Sequence, residues 1–320
     1  MLSAFILSQG RLIQVPIENA ADLARPEVFW VDLVDPSDAE RDLVESVFRY
    51  ELPEDEDLED IEESARCYVD HAGLHLNSYL LHQDSEGAAN VTVSFLLNRG
   101  RLLTMRQEEL AVFRLFRLRA RAQPGFVENA EDVLLGIYAV AVEYDADVLE
   151  GVYTSLESVS SRVLKRSDSL NDEAMAETVS DIAQQEDING KVRLDLMDTR
   201  RSLSFLLRSR TLNHEQENDL REILRDLESL NNHTAFLFDK INFLMDAVMG
   251  LINLAQSKII KIFSIAAVVF LPPTVIASTY GMNFDLMPEL KWAFGYPFAI
   301  GLMILSGIAP YWFFKRKGWL

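Results

Sequence analysis

The pattern of apolar and polar positions changes along the chain, from strand-like runs near the N-terminus to helical spacing further on. Runs of strand-like composition that are bounded by turn residues predict strands at 28–34, 74–82, 91–97 and 101–106. Helical spacing predicts two amphipathic helices, at 36–50 and 108–122. We therefore expect an α/β domain over residues 1–125.

Helix-forming residues dominate from Glu128 onward, where glycine and proline nearly vanish. One turn, near 167–171, divides this part of the chain. The pattern predicts two long helices that pack as an antiparallel hairpin over 126–213.

The next segment lacks helix breakers other than Gly250 until it reaches Pro272. It predicts a helical coiled-coil stalk over 214–261 that continues into the following apolar residues. At 1.5 Å per residue, a helix over 214–280 would be on the order of 100 Å long.

Two intervals of 23 residues at the end of the chain, 262–284 and 292–314, contain no charged side chain. About 20 apolar residues suffice to cross a bilayer as a helix. A buried helix of a soluble protein is the alternative, but two such runs in succession favour membrane spans. We expect transmembrane helices at 262–283 and 292–314, joined by an external loop at 284–291.

Basic residues flank the predicted spans on one side of the membrane. Lys258 and Lys261 precede the first span and a basic tail, 315–320, follows the second, whereas the loop between them has only Lys291. By the positive-inside rule both termini are cytoplasmic. The first residues, 1–14, lack the basic region and the cleavage signature of a signal peptide.

Charge is distributed unevenly along a chain whose net charge is −20. Residues 1–257 carry 24 Lys and Arg against 48 Asp and Glu, so this part is near −24 and the remainder near +4. Such an acidic surface repels nucleic-acid phosphates and concentrates cations. We therefore predict no nucleic-acid partner.

The residues that would indicate catalysis or a bound cofactor are missing from the sequence. The single cysteine, Cys67, excludes an internal disulfide and a cysteine-based zinc site. There is no Gly-x-x-x-x-Gly-Lys phosphate loop and no recognisable nucleophile motif. We predict that the protein is not an enzyme and has no cofactor.

A polar stripe follows one side of the first predicted span, within an arc of roughly 100° on a continuous helix. Hydroxyls in a membrane need partners or water, and apolar rungs between them can gate a pore by dewetting. A helix–helix packing seam is the alternative. One helix cannot enclose a pore, so the pore interpretation requires a homo-oligomer. Its predicted lining residues are Asn253, Ser257, Ile260, Ser264, Ala267, Leu271, Thr274 and Ser278.

The loop after the first span carries a family resemblance. It reads Tyr280-Gly281-Met282-Asn283-Phe284, and Met287-Pro288-Glu289-Leu290 follows before the second span. Between two terminal spans and ahead of a basic tail, these residues resemble the CorA family of magnesium transporters. The resemblance is detailed over 258–320 and extends to the order of parts along the chain. It implies a funnel-shaped homopentamer in the bacterial inner membrane, with the first span lining the pore.

The resemblance also implies roles for residues at the two ends of the pore. Mg²⁺ gives up its waters reluctantly, and uncharged oxygens can hold the hydrated ion and still release it. Gly281, Met282 and Asn283 would form the external selectivity filter. Asp285 and Glu289 would attract cations to the external mouth. A basic collar at the cytoplasmic end would consist of Lys315, Arg316 and Lys317.

In the family, Mg²⁺ held by carboxylates between neighbouring cytoplasmic domains keeps the pore closed. Mg²⁺ would then be a regulatory ligand as well as the substrate. A solvated acidic surface is the alternative role for each candidate. The candidates are Asp55, Glu56, Asp60, Glu222 and Asp226.

The predicted function is passive influx of Mg²⁺, gated by intracellular Mg²⁺, with Co²⁺ and Ni²⁺ open as further substrates. A divalent ion that crosses 100 mV into a negative interior gains about 4.6 kcal/mol, which suffices without nucleotide hydrolysis. Two alternatives stay open. One is a transporter of zinc or another divalent cation on the same scaffold, and the other is a non-conducting, membrane-tethered metal sensor or scaffold.

Overall fold

The alternating residues of the N-terminal part form one mixed sheet. The computed structural model describes residues 1–53, 66–84, 87–165, 172–282 and 287–318. The strands are β1 (Leu2–Ser8), β2 (Arg11–Val15), β3 (Trp30–Val34), β4 (Cys67–Val69), β5 (Leu74–Gln83), β6 (Ala88–Asn98) and β7 (Arg101–Arg106). Their order is β2-β1-β3-β7-β6-β5-β4, and every neighbouring pair is antiparallel except β3 and β7.

Helices account for most of the remaining described residues. They are α1 (Ala20–Leu23), α2 (Asp38–Phe48), α3 (Ala111–Ala122), α4 (Ala130–Lys165), α5 (Asp172–Ser209), α6 (His214–Tyr280) and α7 (Gly295–Arg316), with a short 3₁₀ helix at Pro288–Lys291. The chain divides into two compact units, Met1–Met245 and Asp246–Leu320. The α/β class followed by long helices, predicted from the sequence, is confirmed.

The sequence pattern missed the first hairpin and the short strand β4. β1 and β2 are joined by Gln9 and Gly10, which have φ of 53° and 72°. Two consecutive residues with positive φ form the turn type that matches the twist of a hairpin. The predicted strand at 28–34 begins later, at Trp30, because the backbone N–H of Val28 donates to Arg25 O in a turn.

Aromatic side chains join the sheet to the helices that cover it. The rings of Phe5 and Trp30 stack with centroids 4.4 Å apart, and Phe116 of α3 meets Trp30 at 5.6 Å. α4 approaches closely at Gly136, where an added Cβ would lie 2.5 Å from Phe116. This position therefore requires glycine for the helix to pack against α3.

A buried ion network ties β3 and β7 to α3. The Asp32 carboxylate accepts from Thr104 Oγ1 at 2.6 Å, from Arg106 Nη2 at 3.2 Å and from Arg117 Nη1 at 3.1 Å. Glu109 pairs with both arginines. The side chains of Asp32 and Arg106 are 1% and 0% exposed, so this ion pair is shielded from water.

Helix α5 covers an edge of the sheet with carboxylates. β4 pairs with β5 only over Leu74–Leu76, which leaves later β5 amides without a strand partner on that side. Asp198 Oδ2 accepts from the backbone N–H of Tyr79 at 2.9 Å, and Asp195 Oδ2 accepts from that of Leu81 at 2.7 Å. The helix thus satisfies backbone donors that would otherwise form an open sheet edge.

The antiparallel hairpin of α4 and α5 buries two carboxyl groups. An ion pair between Arg162 and Asp181 joins the ends nearest the connection, and the predicted turn at 167–171 lies outside the described residues. Burial raises the pKa of Asp195 to about 7. Burial and the neighbouring Asp195 raise the pKa of Asp145 well above its ordinary value. Within the described part of the chain, Asp145 Oδ1 has no hydrogen-bond partner.

These pKa shifts predict that the fold loses stability as pH rises. Between the ordinary Asp value of 3.8 and about 7, the folded protein holds protons that the unfolded chain has released. For Asp195 the cost is therefore complete above about pH 7. Asp145→Asn removes one buried charge, so its gain in free energy of unfolding over wild type should grow from a small value at pH 4 to about 2 kcal/mol or more at pH 8. Urea titration of the full-length protein in detergent measures both values, and equal gains at the two pH values would contradict the assignment.

Candidate functional site: an ion pathway and an acidic pocket

Two helices, α6 and α7, are long and apolar enough to cross a membrane. Their apolar side chains are largely exposed in the single chain, for example Phe263 at 71% and Leu305 at 67%. A core helix of a soluble protein would bury such residues. The exposure therefore agrees with the predicted membrane spans.

A glycine sets the contact between the two candidate spans. An added Cβ at Gly307 of α7 would lie 3.5 Å from Pro273 Cγ and 3.5 Å from the Val269 carbonyl oxygen of α6. Pro273 has no N–H to donate to that carbonyl, so α7 passes close to the point where α6 lacks a backbone bond. Half-buried residues such as Ile265 and Ile276 lie on the same side of α6.

The predicted pore-lining residues occupy another side of α6. At 100° per residue, their arc is centred roughly 170° from Val269 and Pro273, which meet α7. All eight are exposed in the single chain, and Ile260 and Leu271 reach 66% and 60%. The stripe is therefore not a packing seam against α7. It is available to other copies of the chain or to water.

One hydroxyl of this stripe is oriented by the backbone. Thr274 Oγ1 donates to the Phe270 carbonyl at 2.7 Å. Its proton is used, and its oxygen still has lone pairs that can accept hydrogen bonds. A hydrated cation presents water hydrogens outward, so this orientation suits the passage of a cation with its waters.

The predicted filter begins at the C-terminal end of α6. Gly281 N donates to Ala277 O at 3.0 Å, and Met282 N donates to Thr279 O at 3.3 Å, so both residues continue the last turn. The final carbonyls of a helix lack partners within the helix and carry its partial negative charge. This end of α6 therefore attracts cations without a carboxylate. Asn283 lies outside the described residues.

The structure describes some of the charged residues that were predicted at the two pore ends. Asp285 lies outside the described residues, and the backbone of Glu289 belongs to the 3₁₀ helix. Lys315 and Arg316 form the last turn of α7, and Lys317 follows it. All three side chains of the predicted collar are exposed.

An acidic pocket of about 470 Å³ lies between the first turns of α4 and the first turns of α6. It contains both described candidates for Mg²⁺ sensing, and no Lys or Arg stands among the described residues that line it. Asp132 is held by Gln216 Nε2 at 2.6 Å and by the backbone N–H of Glu128 at 2.9 Å. The carboxylates are Glu128, Asp132, Glu215, Asp219, Glu222 and Asp226.

Sequence reasoning found only Glu222 and Asp226 of this pocket. Asp219 lies one turn and Glu215 two turns before Glu222, and this helical spacing was visible in the sequence. Among the described residues, no three acidic, His or Cys side chains converge closely enough to hold a bare ion. The other sensor candidates, Asp55, Glu56 and Asp60, lie outside the described residues.

Several proteins similar to this chain over its whole length are named magnesium transport protein CorA. The model of the family described as CorA-like Mg²⁺ transporter protein matches residues 26–316. A protein of Pectobacterium atrosepticum named magnesium transport protein CorA is 49% identical over 323 residues, and the match covers 100% of both chains. A protein of the same name from Salmonella typhimurium is 49% identical over 321 residues, again covering 100% of both.

Solved structures share the fold at lower identity. The complete structure of CorA magnesium transporter from Methanocaldococcus jannaschii has a TM-score of 0.75 at 18% identity and covers 100% of this chain and 99% of its own. The full-length CmaX protein has a TM-score of 0.70 at 17% identity, covering 99% and 97%. At these identities the likeness shows the fold alone.

Proposed function

Since the chain belongs to the CorA-like Mg²⁺ transporter family, we propose that it is a homo-oligomeric channel that admits hydrated Mg²⁺ through a pore lined by α6. Mg²⁺ transport follows from the family and the full-length relatives, which also agree with the prediction that the protein is not an enzyme. The exposed polar face of α6 carries the proposal for the pore. This face needs other copies or water, and it leads to the cation-attracting helix end at Gly281.

We propose the homopentamer, the inner-membrane location and the cytoplasmic termini that the family resemblance implies. The basic residues at one end of both spans support the orientation by the positive-inside rule. Gly281, Met282 and Asn283 would hold the hydrated ion at the external mouth, and Leu271 and Ile260 would form apolar rings below it. Uncharged oxygens favour release of the ion after it is selected.

Flux into liposomes tests this function. The purified protein should carry Mg²⁺ inward along a negative interior potential, without nucleotide. Parallel assays with Co²⁺, Ni²⁺ and Zn²⁺ rank the substrates. Zn²⁺ flux that exceeds Mg²⁺ flux would support the zinc alternative, and no flux of any ion would support the non-conducting scaffold.

The acidic pocket supports a proposal for regulation. Its carboxylates concentrate cations, and Glu222 and Asp226 are exposed on α6. A hydrated Mg²⁺ does not require direct coordination by three carboxylates, because its waters can bridge to them. We expect intracellular Mg²⁺ bound here to favour the closed channel.

Neutralising two residues of the pocket tests this regulation. Glu222→Gln combined with Asp226→Asn should raise the Mg²⁺ concentration that protects the purified protein from proteolysis by about fivefold, because the attraction of the pocket for a divalent ion falls. Glu228→Gln provides the control, since Glu228 is exposed on the same helix but does not line the pocket. Equal shifts in the two proteins would indicate a general charge effect and contradict a sensing role for the pocket.

A further inference from the structure

A second pocket, of about 450 Å³, opens between the ends of α6 and α7 that carry the basic residues. α7 ends at Arg316, and Gly318 follows with φ of 68°, which suits a glycine just past a helix end; nothing lies within 4 Å of an added Cβ there. The absence of a side chain leaves that wall open. The lining residues are Lys261, Ser264, Ile265, Val268, Phe314 and Gly318.

The lining of this pocket has a polar part and an apolar part. Lys261 is exposed and supplies an ammonium group at the mouth, whereas Ser264 at the edge of the pocket belongs to the proposed pore stripe. One to two turns further into the span, the half-buried side chains of Ile265 and Val268 face the pocket together with Phe314. A cationic mouth above an apolar wall matches a molecule that has an anionic head and a hydrocarbon tail.

All charged side chains at this end of the spans are basic. Residues 247–284 and 290–320 contain no Asp or Glu, whereas five basic residues lie at this end. Arg316 is placed 5.3 Å over the ring of Trp312, an arrangement typical of the membrane interface. The basic residues are Lys258, Lys261, Lys315, Arg316 and Lys317.

We propose that this pocket binds one anionic phospholipid, with its phosphate at Lys261 and the start of an acyl chain against Ile265, Val268 and Phe314. The proposal rests on the proposed orientation, which places the pocket in the cytoplasmic leaflet, where anionic lipids attract basic residues. A second copy of either span is a poorer occupant. It would cover the Lys261 ammonium with residues that include no counter-charge, and burying an unpaired charge is costly.

Lipid retention by the full-length protein tests the proposal. The protein is purified from bilayers that contain equal amounts of phosphatidylglycerol and phosphatidylcholine, and native mass spectrometry counts the lipids that stay bound. Wild type should retain phosphatidylglycerol preferentially. Lys261→Gln should lower that retention by about tenfold, the ratio expected when one hydrogen bond to a charged group is lost.

Two further variants distinguish lipid binding in the pocket from general attraction of anionic lipid to the basic residues. Val268→Phe fills the apolar part at unchanged charge and should also lower phosphatidylglycerol retention. Lys315→Gln removes a charge at the same end of the spans but outside the lining and should retain nearly as much as wild type. Equal losses in Lys261→Gln and Lys315→Gln, unchanged retention in Val268→Phe, or equal retention of the two lipids would each overturn the proposal.

Mg²⁺ flux measured on the same preparations keeps this result separate from the proposed channel function. Lipid retention that fails in protein that conducts Mg²⁺ overturns the lipid site alone. Selective retention in protein that conducts no Mg²⁺ supports the lipid site and counts against the channel.

Discussion

Asn283→Ala should abolish Mg²⁺ influx while the protein still inserts and assembles. The substitution removes one side-chain amide from the proposed filter in every subunit. A lost hydrogen bond to the waters of the ion costs about 1 kcal/mol, and the loss is repeated around the ring. A fall in flux of at least about a hundredfold follows, measured with a Mg²⁺-sensitive dye in proteoliposomes.

A substitution near the same helix end provides the control for Asn283→Ala. Thr279 is exposed, and its hydroxyl donates to the Val275 carbonyl of its own helix, outside the proposed pore face. Thr279→Ala should therefore keep most of the flux. Unchanged flux in Asn283→Ala would support a scaffold or sensor in which this loop selects no ion.

Asp32→Ala should produce the largest loss of stability in the unit formed by Met1–Met245. The substitution removes the buried counter-charge of Arg106, which is 0% exposed, and of Arg117; among the described residues, only Glu109, which is 36% exposed, still pairs with both arginines. Breaking a buried ion pair from one side costs about 3–5 kcal/mol. Urea titration of the full-length protein, followed by circular dichroism, should show this loss.

A surface ion pair gives the comparison for Asp32→Ala. Glu217 pairs with Arg221 one turn away, with Oε2 and Nη2 3.0 Å apart and both side chains at least 30% exposed. Glu217→Ala should cost less than about 1 kcal/mol, because water screens exposed pairs. Similar losses in the two variants would show that the Asp32 network does not carry the expected energy.

Local patterns predicted much of the fold. The strand expected at 101–106 coincides with β7, because a short, largely apolar run follows the turn at Arg99 and Gly100. The helix expected beyond His214 runs unbroken to Tyr280 with Pro272 and Pro273 inside it. β1 and β2 were missed because their connection depends on the backbone angles of Gln9 and Gly10, and nothing in the apolar pattern shows those angles.

The candidate site was predictable where it depends on one helix and unpredictable where it depends on tertiary contacts. The polar face of α6 follows from spacing alone, and the structure leaves that face exposed. The acidic pocket also needs Glu128 and Asp132, which α4 brings beside α6 from far away in the sequence. The buried pair Asp145 and Asp195 is likewise separated by 50 residues, so only packing reveals it.

Access of water to Ser278 tests most directly whether the exposed face of α6 lines the pore. The chain has one natural cysteine, Cys67, which is 5% exposed. An introduced thiol can therefore be labelled with little reaction at the natural one. Ser278→Cys should react with a charged methanethiosulfonate reagent added outside, and the reaction should block Mg²⁺ flux. Ala277→Cys, at nearly the same depth but about 100° around the helix, should stay unmodified and conducting. Modification and block of Ala277→Cys, with Ser278→Cys untouched, would contradict the proposed pore.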